Sequence, residues 1–324
     1  MGRDKLSAVD VVKVIAAVLV LMSHSGILWT YSSIADMWVI NIAFRWCIPF
    51  FFICNGFFMR GGERWLVRIL VMYLVWTMFY AIYGKQVINS WFIKKVMFDG
   101  IIPAFWYFPS MILSITVCVM LNKVISPFWV CILTMLMYIF ALFGDTYSNV
   151  NPIACFLQRT ILKYHYHIFD YTTRDGILFG CFYISLGNYF NEHKESLKRV
   201  RNYTNYKLKI CTIIVICFIF EAFEIYIAKI YNLGADINVL ISTIPLSALI
   251  FVFAYNVSVE TKTALTVRKL STLIWLVHPF VINILKDKVG NSVVRFVVVL
   301  TVTGFISGVF IKLSSKIGIL KNLY

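Results

Sequence analysis

The chain has 324 residues, of which 60% are hydrophobic, 17% aromatic and only 14% charged, and its mean hydropathy is +0.81. Ordinary soluble domains are about 45–50% apolar and about 25% charged, so these values exclude a soluble enzyme, a nucleic-acid-binding protein and a disordered chain. The net charge of +15 and the pI near 9.4 then bear on membrane topology and anionic lipid rather than on nucleic acid.

A membrane-spanning helix needs about 20 mainly apolar residues. In chain order, ten stretches are candidates: 8–28, 39–59, 65–83, 104–121, 127–143, 174–190, 209–230, 237–257, 270–285 and 292–311. Runs such as 11–22 and 50–59 are continuous rather than alternating, which favours helices over a transmembrane barrel. The expected fold is an all-α integral membrane bundle of about ten transmembrane helices, forming one domain over 1–324. With the N-terminus inside, 18 Lys and Arg residues fall on inner segments and 10 on outer ones, so both termini are expected in the cytoplasm. The first helix contains Lys13 and is followed by no small-residue cleavage site, so it is read as a span and not as a cleaved leader. Two outer loops stand out by length, 84–103 and 144–173, the second ending in a Tyr- and His-rich segment. The eight cysteines show neither a Cys-x-x-Cys nor a metal-like spacing, and no disulfide framework and no metal is expected. His165 and His167, two apart in the second outer loop, form a pair that could bind a metal, but no metal is expected there.

An ionisable residue inside a span is costly and marks a functional hypothesis. In the first helix Lys13 and His24 are eleven residues apart, three turns plus about 20°, so they share one face about 16 Å apart along the axis. Asp10 lies one turn below Lys13 on nearly the same face, and Ala16 and Ala17 between them allow close packing. Taken singly, Lys13 reads as a snorkelling side chain paired with Asp10, and His24 as a hydrogen bond to a neighbouring helix. Together they point to a polar path across the bilayer with an imidazole suited to general-base chemistry. The second stretch brings Arg45, Pro49, expected to kink or break the helix, and Asn55-Gly56, where another backbone can approach. Arg60, Arg64 and Arg68 form a basic rim that suits phosphates by charge and bidentate geometry, or serve as positive-inside anchors. Trp106 and Tyr107 open the fourth stretch and Arg174 the sixth. Glu221 and Glu224 share a face of the seventh, and His278 precedes Pro279 in the ninth. A buried pair such as Arg45 with Glu221 is a purely structural alternative, and His278 reads equally as packing or chemistry.

These residues resemble the acyltransferase 3 family of membrane-bound O-acyltransferases. The resemblance is carried by Asp10-x-x-Lys13-x₁₀-His24, by Arg45-x-x-x-Pro49-Phe-Phe-Phe-Ile-Cys-Asn-Gly-Phe, by Trp-Tyr-Phe-Pro at 106–109 and by Leu-Val-His-Pro at 276–279. It implies transfer of an acetyl group from cytoplasmic acetyl-CoA to a hydroxyl of an envelope glycan or lipid-linked sugar at the bacterial inner membrane. No bound cofactor is implied; acetyl-CoA is the donor substrate. His24 occupies the family's catalytic position, and Lys13 stands where Arg is usual, keeping charge but losing the bidentate fork. Asn55-Gly56-Phe57 replaces the usual Ser-Gly-Phe. Two blocks, 106–109 and Thr-Arg-Asp-Gly-Ile-Leu-Phe at 173–179, are similar to the membrane domain of vancomycin-resistance serine racemases, which is associated with serine uptake; no racemase domain is expected here.

Two readings follow. In the first, the protein is an O-acetyltransferase. Lys13, Arg60 and Arg64 meet the coenzyme phosphates, and His24 acts as base or carries the acetyl group. Asn55 or Trp106 orients the acceptor or stabilises the oxyanion, while Asp10, Arg45, Tyr107, Arg174, Glu221 and His278 support the site. In the second, the same buried groups bind a small polar molecule such as serine for transport, although no inverted repeat is apparent. A non-catalytic assembly partner is a third class, which leaves the first-helix stripe without a purpose.

Overall fold

The computed structural model describes residues 5–59, 63–150, 156, 167–168, 173–234, 236–260 and 264–316. Apart from one short two-stranded ribbon, the regular structure among them is helical. Among the described residues, seven helical segments are long and apolar enough to cross a membrane: Ala8–Ser25, Ser33–Phe58, Trp65–Tyr83, Pro103–Asn122, Pro127–Gly144, Tyr206–Ile230 and Ser292–Ser314. The other three predicted stretches also fall on helices. Two of these are only 16 and 14 residues long (Ile177–Glu192 and Thr243–Asn256), and the third, Ala264–Leu285, carries Arg268, Lys269 and His278. By contacts the chain forms two units, residues 1–48 with 251–324, and residues 49–250.

In the first unit, β1 (Lys5–Ser7) and β2 (Ser258–Glu260) pair antiparallel with Leu6 opposite Val259. The Ala8 amide then donates to the Val257 carbonyl at 3.1 Å. The ribbon thus seats the start of α1 (Ala8–Ser25) before a helix 250 residues later in sequence begins. Helix α1 runs unbroken through Lys13 and stops at Gly26, whose φ of +60° is the left-handed geometry that ends helices. Helix α2 (Ser33–Phe44) starts where the Ser32 side chain accepts from the Ala35 amide at 3.1 Å. Helix α3 (Cys47–Phe58) follows after a break at residues 45–46. Pro49 therefore does not mark the break. It sits in the first turn of α3, where a missing N–H costs no helical bond, and the interruption comes before it.

The second unit holds the rest of α3, α4 (Glu63–Tyr83), α5 (Ser90–Lys94), α6 (Tyr107–Asn122), α7 (Pro127–Gly144), α8 (Ile177–Glu192), α9 (Lys194–Arg199), α10 (Tyr206–Ile230) and the start of α11 (Thr243–Asn256). The stretch 84–103, read as loop, contains α5, a π-turn over Lys95–Asp99 and the start of a 3₁₀ turn over Pro103–Trp106. Helix α8 packs on α6 and α7. Its core is a hydroxyl network: Tyr138 donates to the Leu240 carbonyl at 2.7 Å, Tyr183 to the Tyr138 oxygen at 3.0 Å, and Tyr183 and Thr243 hydroxyls meet at 2.9 Å. Two buried carboxylates hold the connection into α11. Asp145 accepts from the Asn238 and Val239 amides at 2.7 and 3.1 Å, and Glu224 from the Ile241 and Ser242 amides, each at 2.8 Å, and from the Tyr147 hydroxyl. Buried hydrogen bonds to a charged acceptor contribute about 1.5–3 kcal/mol each. A Gln amide offers one accepting oxygen where Glu224 uses two. Glu224→Gln is expected to destabilise the protein by about that amount, read as a lower Tm in detergent.

The described chain continues in the first unit with α12 (Ala264–Leu285) and α13 (Ser292–Lys316). Helix α1 packs chiefly on α12, and α12 on α13. Ala16, Ala17 and Leu21 of α1 and Leu273 and Leu276 of α12 are fully buried.

Candidate functional site

In the first unit the sequence-predicted residues fall along α1 and its neighbours. Because α1 is continuous, the eleven-residue interval from Lys13 to His24 spans about 16 Å along its axis. The far end of that face is pinned by side-chain to backbone bonds. The Ser292 hydroxyl donates to the Ile27 carbonyl at 2.8 Å, and Arg295 Nη2 donates to the Ser25 carbonyl at 3.0 Å. Asp36 Oδ1 accepts from the Leu28 amide at 2.7 Å. These contacts fix the last turn of α1, where His24 sits.

The imidazole of His24 is exposed and stacks on that of His278, with ring centroids 5.4 Å apart and planes 27° from parallel. His278 is fully buried, and its Nδ1 lies 2.9 Å from the Ile274 carbonyl. A carbonyl only accepts, so Nδ1 carries the hydrogen and Nε2 is the accepting nitrogen of the neutral ring. Among the described residues that Nε2 has no hydrogen-bond partner. Pro279 has no N–H for the carbonyl one turn back, which loosens the backbone at the point where His278 folds onto Ile274. The pair thus combines an accessible imidazole with a sealed one of fixed tautomer. The sequence named both rings but nothing in their spacing brought them together.

At the other end of α1, Asp10 is buried and its Oδ2 accepts from Arg268 Nε at 3.2 Å and Nη2 at 3.1 Å. Arg268 was not among the predicted site residues; only the packing of α12 on α1 reveals it. Lys13 is half-buried in the same face. Arg45 stands at the break after α2, where it donates to the Asn41 side chain and lies over the Phe44 ring at 5.1 Å. Arg60 and the side chain of Arg64 lie outside the described residues.

The other predicted residues belong to the second unit. Asn55 Nδ2 donates to the Tyr107 oxygen at 2.5 Å and approaches Met111 Sδ at 3.0 Å. Gly56 beside it permits contact of α3 with α8: a Cβ there would stand 2.0 Å from the Ile184 carbonyl oxygen. Close backbone approach at Asn55-Gly56, expected from the sequence, is what the structure contains. The Arg174 guanidinium lies 4.4 Å from the Trp106 ring centroid, and its Nε donates to Asp175 Oδ1 at 3.1 Å. Glu221 is fully buried, whereas Glu224, one turn away, caps α11 as described above. Asn55 with Tyr107 and Trp106 with Arg174 are thus brought together.

The model of the acyltransferase 3 family, described as an acyltransferase domain, matches residues 6–312. Among curated proteins, the chain is similar to two amino-acid racemases of Enterococcus faecalis. One is 26% identical over 62% of this chain and 30% of the relative, the other 23% identical over 99% and 48%. A serine/alanine racemase of Enterococcus gallinarum is 24% identical over 93% of this chain and 45% of its own length. The chain spans about half or less of the length of these relatives. No solved structure matches it.

Proposed function

The chain belongs to the acyltransferase 3 family, and from that premise we propose that it transfers an acetyl group from cytoplasmic acetyl-CoA to a hydroxyl of a cell-envelope glycan or lipid-linked sugar. In this reading it is a multi-pass protein of the bacterial inner membrane, with ten spans and both termini in the cytoplasm. The observation that supports it is the stacked His24–His278 pair at one end of an α1 face whose other end holds Lys13 and the Asp10–Arg268 ion pair.

Lys13, Arg60 and Arg64 meet the coenzyme phosphates at the cytoplasmic end. The acceptor oxygen attacks the thioester carbonyl while His24 takes its proton. The carbon–sulfur bond then breaks and the proton passes from His24 to the leaving sulfur, so the base is restored. His278, its Nδ1 held by Ile274, positions the His24 ring by stacking. On the sequence pattern alone, Asn55 or Trp106 orients the acceptor or stabilises the oxyanion, with Tyr107 and Arg174 in support. Mass spectrometry of envelope glycans from cells with and without the gene tests the reading. An acetyl-sized mass difference confined to cells with the gene is expected, and identical glycans overturn it.

A second reading, a carrier for a small polar molecule such as serine, draws support from relatives named as serine/alanine and amino-acid racemases. Uptake of labelled serine into vesicles lacking acetyl-CoA is its expected result, and no uptake above empty vesicles removes it.

A further inference from the structure

The connection between α8 and α10 carries a concentration of charge that neither acyl transfer nor transport uses. Residues 193–209 contain Lys194, Lys198, Arg199, Arg201, Lys207 and Lys209 against a single acidic residue, Glu195. The segment is held by its own hydrogen bonds. The Leu197 amide donates to the His193 carbonyl at 3.1 Å to open α9, and a 3₁₀ turn over Val200–Asn202 follows. The Tyr203 amide then donates to the Val200 carbonyl and the Tyr206 amide to the Tyr203 carbonyl, each at 3.2 Å. Helix α9 packs on the end of α8, and the 3₁₀ turn on α10. Leu197, Val200 and Tyr206 are half-buried, while Lys194, Arg199, Lys207 and Lys209 are exposed. Glu195 is occupied by Lys198 at 2.8 Å, and the four exposed cations make no ion pair among the described residues.

Helix α10 fixes the level at which these cations stand. Leu208, Val215, Ile219, Tyr226 and Ile230 are all exposed, and at 100° per residue they fall within about 60° of one another. They form a stripe about 33 Å long at 1.5 Å per residue, which matches the hydrocarbon thickness of a bilayer, about 30 Å. Lys207 and Lys209 flank the first residue of the stripe. With the stripe in hydrocarbon, both therefore stand at headgroup level. The start of α7, another helix of span length, belongs to the same end. Phe128 meets Tyr189 of α8 with ring centroids 6.3 Å apart, and Tyr189 meets His193 at 4.2 Å. Trp129 next to Phe128 is 59% exposed and Tyr203 66%, and such rings favour the boundary between membrane and water.

An apolar stripe of bilayer length with cations at one end is the complement of an amphiphile with an anionic head. A soluble polyanion would meet the cations and leave the stripe unused. A zwitterionic lipid would bring its own cationic group to a cluster whose one carboxylate is already paired. A Lys or Arg beside an anionic headgroup strengthens binding about fivefold.

We propose that Lys194, Arg199, Lys207 and Lys209 bind the phosphate of an anionic phospholipid whose acyl chains lie along the exposed face of α10. None of these residues is placed in acyl transfer, and the test needs no acyl donor, so its failure leaves the proposed function untouched. The experiment is native mass spectrometry of the full chain in a neutral detergent, titrated with phosphatidylglycerol or with phosphatidylcholine.

Phosphatidylglycerol is expected to add at concentrations about tenfold or more below those of phosphatidylcholine. The combined variant Lys194→Gln, Arg199→Gln, Lys207→Gln and Lys209→Gln should lose that preference with Tm unchanged, because all four side chains are exposed. Lys207→Gln with Lys209→Gln should lose part of it, which keeps the test open if the larger variant does not fold, and Lys207→Arg with Lys209→Arg should retain it. A charge-matched control at exposed positions elsewhere, Lys85→Gln, Lys286→Gln, Lys288→Gln and Lys316→Gln, should also retain it. Coenzyme A, a soluble phosphate ester, should not displace the bound lipid. Equal uptake of the two lipids, an unchanged preference in the folded Gln variants, the same loss in the control, or displacement by coenzyme A would overturn the proposal.

Discussion

The His24→Ala variant is expected to lose acyl transfer by about 10²- to 10⁴-fold, the range over which a positioned general base acts, while remaining folded in the membrane. The two halves of that expectation come from different observations. His24 is exposed, and it contacts the sealed ring of His278 by stacking, so its loss removes little buried apolar surface. The last turn of α1 is held independently of the imidazole through the carbonyls of Ser25 and Ile27 and the Leu28 amide. O-acetyl content of envelope glycans and Tm in detergent, measured on the same variant, separate the two. Loss of both together would make His24 a structural residue, and retained acetylation would remove it from the chemistry.

The largest stability effect is expected at Gly56. A Cβ at this position would stand 2.0 Å from the Ile184 carbonyl oxygen and 2.8 Å from the Ile184 carbonyl carbon. Both atoms are backbone of α8, so neither swings aside as a side-chain end would. From the facing side, a Cβ at Gly187 would come within 2.2 Å of the Ile53 carbonyl oxygen. The two helices touch through a pair of glycines, the small-residue contact by which membrane helices gain dispersion attraction. Overpacking a tight site costs about 1–3 kcal/mol and more where the backbone must shift, and Gly56→Ala is expected at or above the top of that range. Gly304 and Gly308 of α13 supply the control, since an added Cβ meets no heavy atom within 4 Å at either. Gly304→Ala should leave thermal unfolding in detergent nearly unchanged, while Gly56→Ala lowers Tm steeply or abolishes the folded peak on size exclusion. Equal effects at the two positions would contradict the packing described.

Local pattern carried much of the fold into view. Apolar runs of span length have no competing reading in a chain this hydrophobic, and each of the ten predicted stretches overlaps helical structure, 39–59 across two helices and 237–257 only from Thr243 on. Detail was lost where length or position, rather than apolarity, decides. The 39–59 stretch begins earlier, at Ser33, and is split before Pro49, because proline is accommodated in a first turn and the break precedes it. The short helix and π-turn between 90 and 99 are too brief to show a period. At the candidate site, Lys13 and His24 were legible because helical geometry alone puts residues eleven apart on one face. The stacking of His24 on His278 and the pairing of Asp10 with Arg268 join residues from distant parts of the chain, and they arise only from packing. Glu221 and Glu224 show the converse: they are equal in sequence context, and their surroundings are set by packing, Glu224 accepting from the amides that open α11.

The most direct test of the account uses purified protein in proteoliposomes, supplied with labelled acetyl-CoA and a crude envelope-glycan acceptor fraction. Label is predicted to appear on the glycan with the unsubstituted protein, to be absent with His24→Ala of unchanged Tm, and to be released by mild alkali as acetate from an ester. An unsubstituted protein that transfers no label yet accumulates labelled serine inside the same vesicles would contradict the acyltransferase account and establish the carrier in its place.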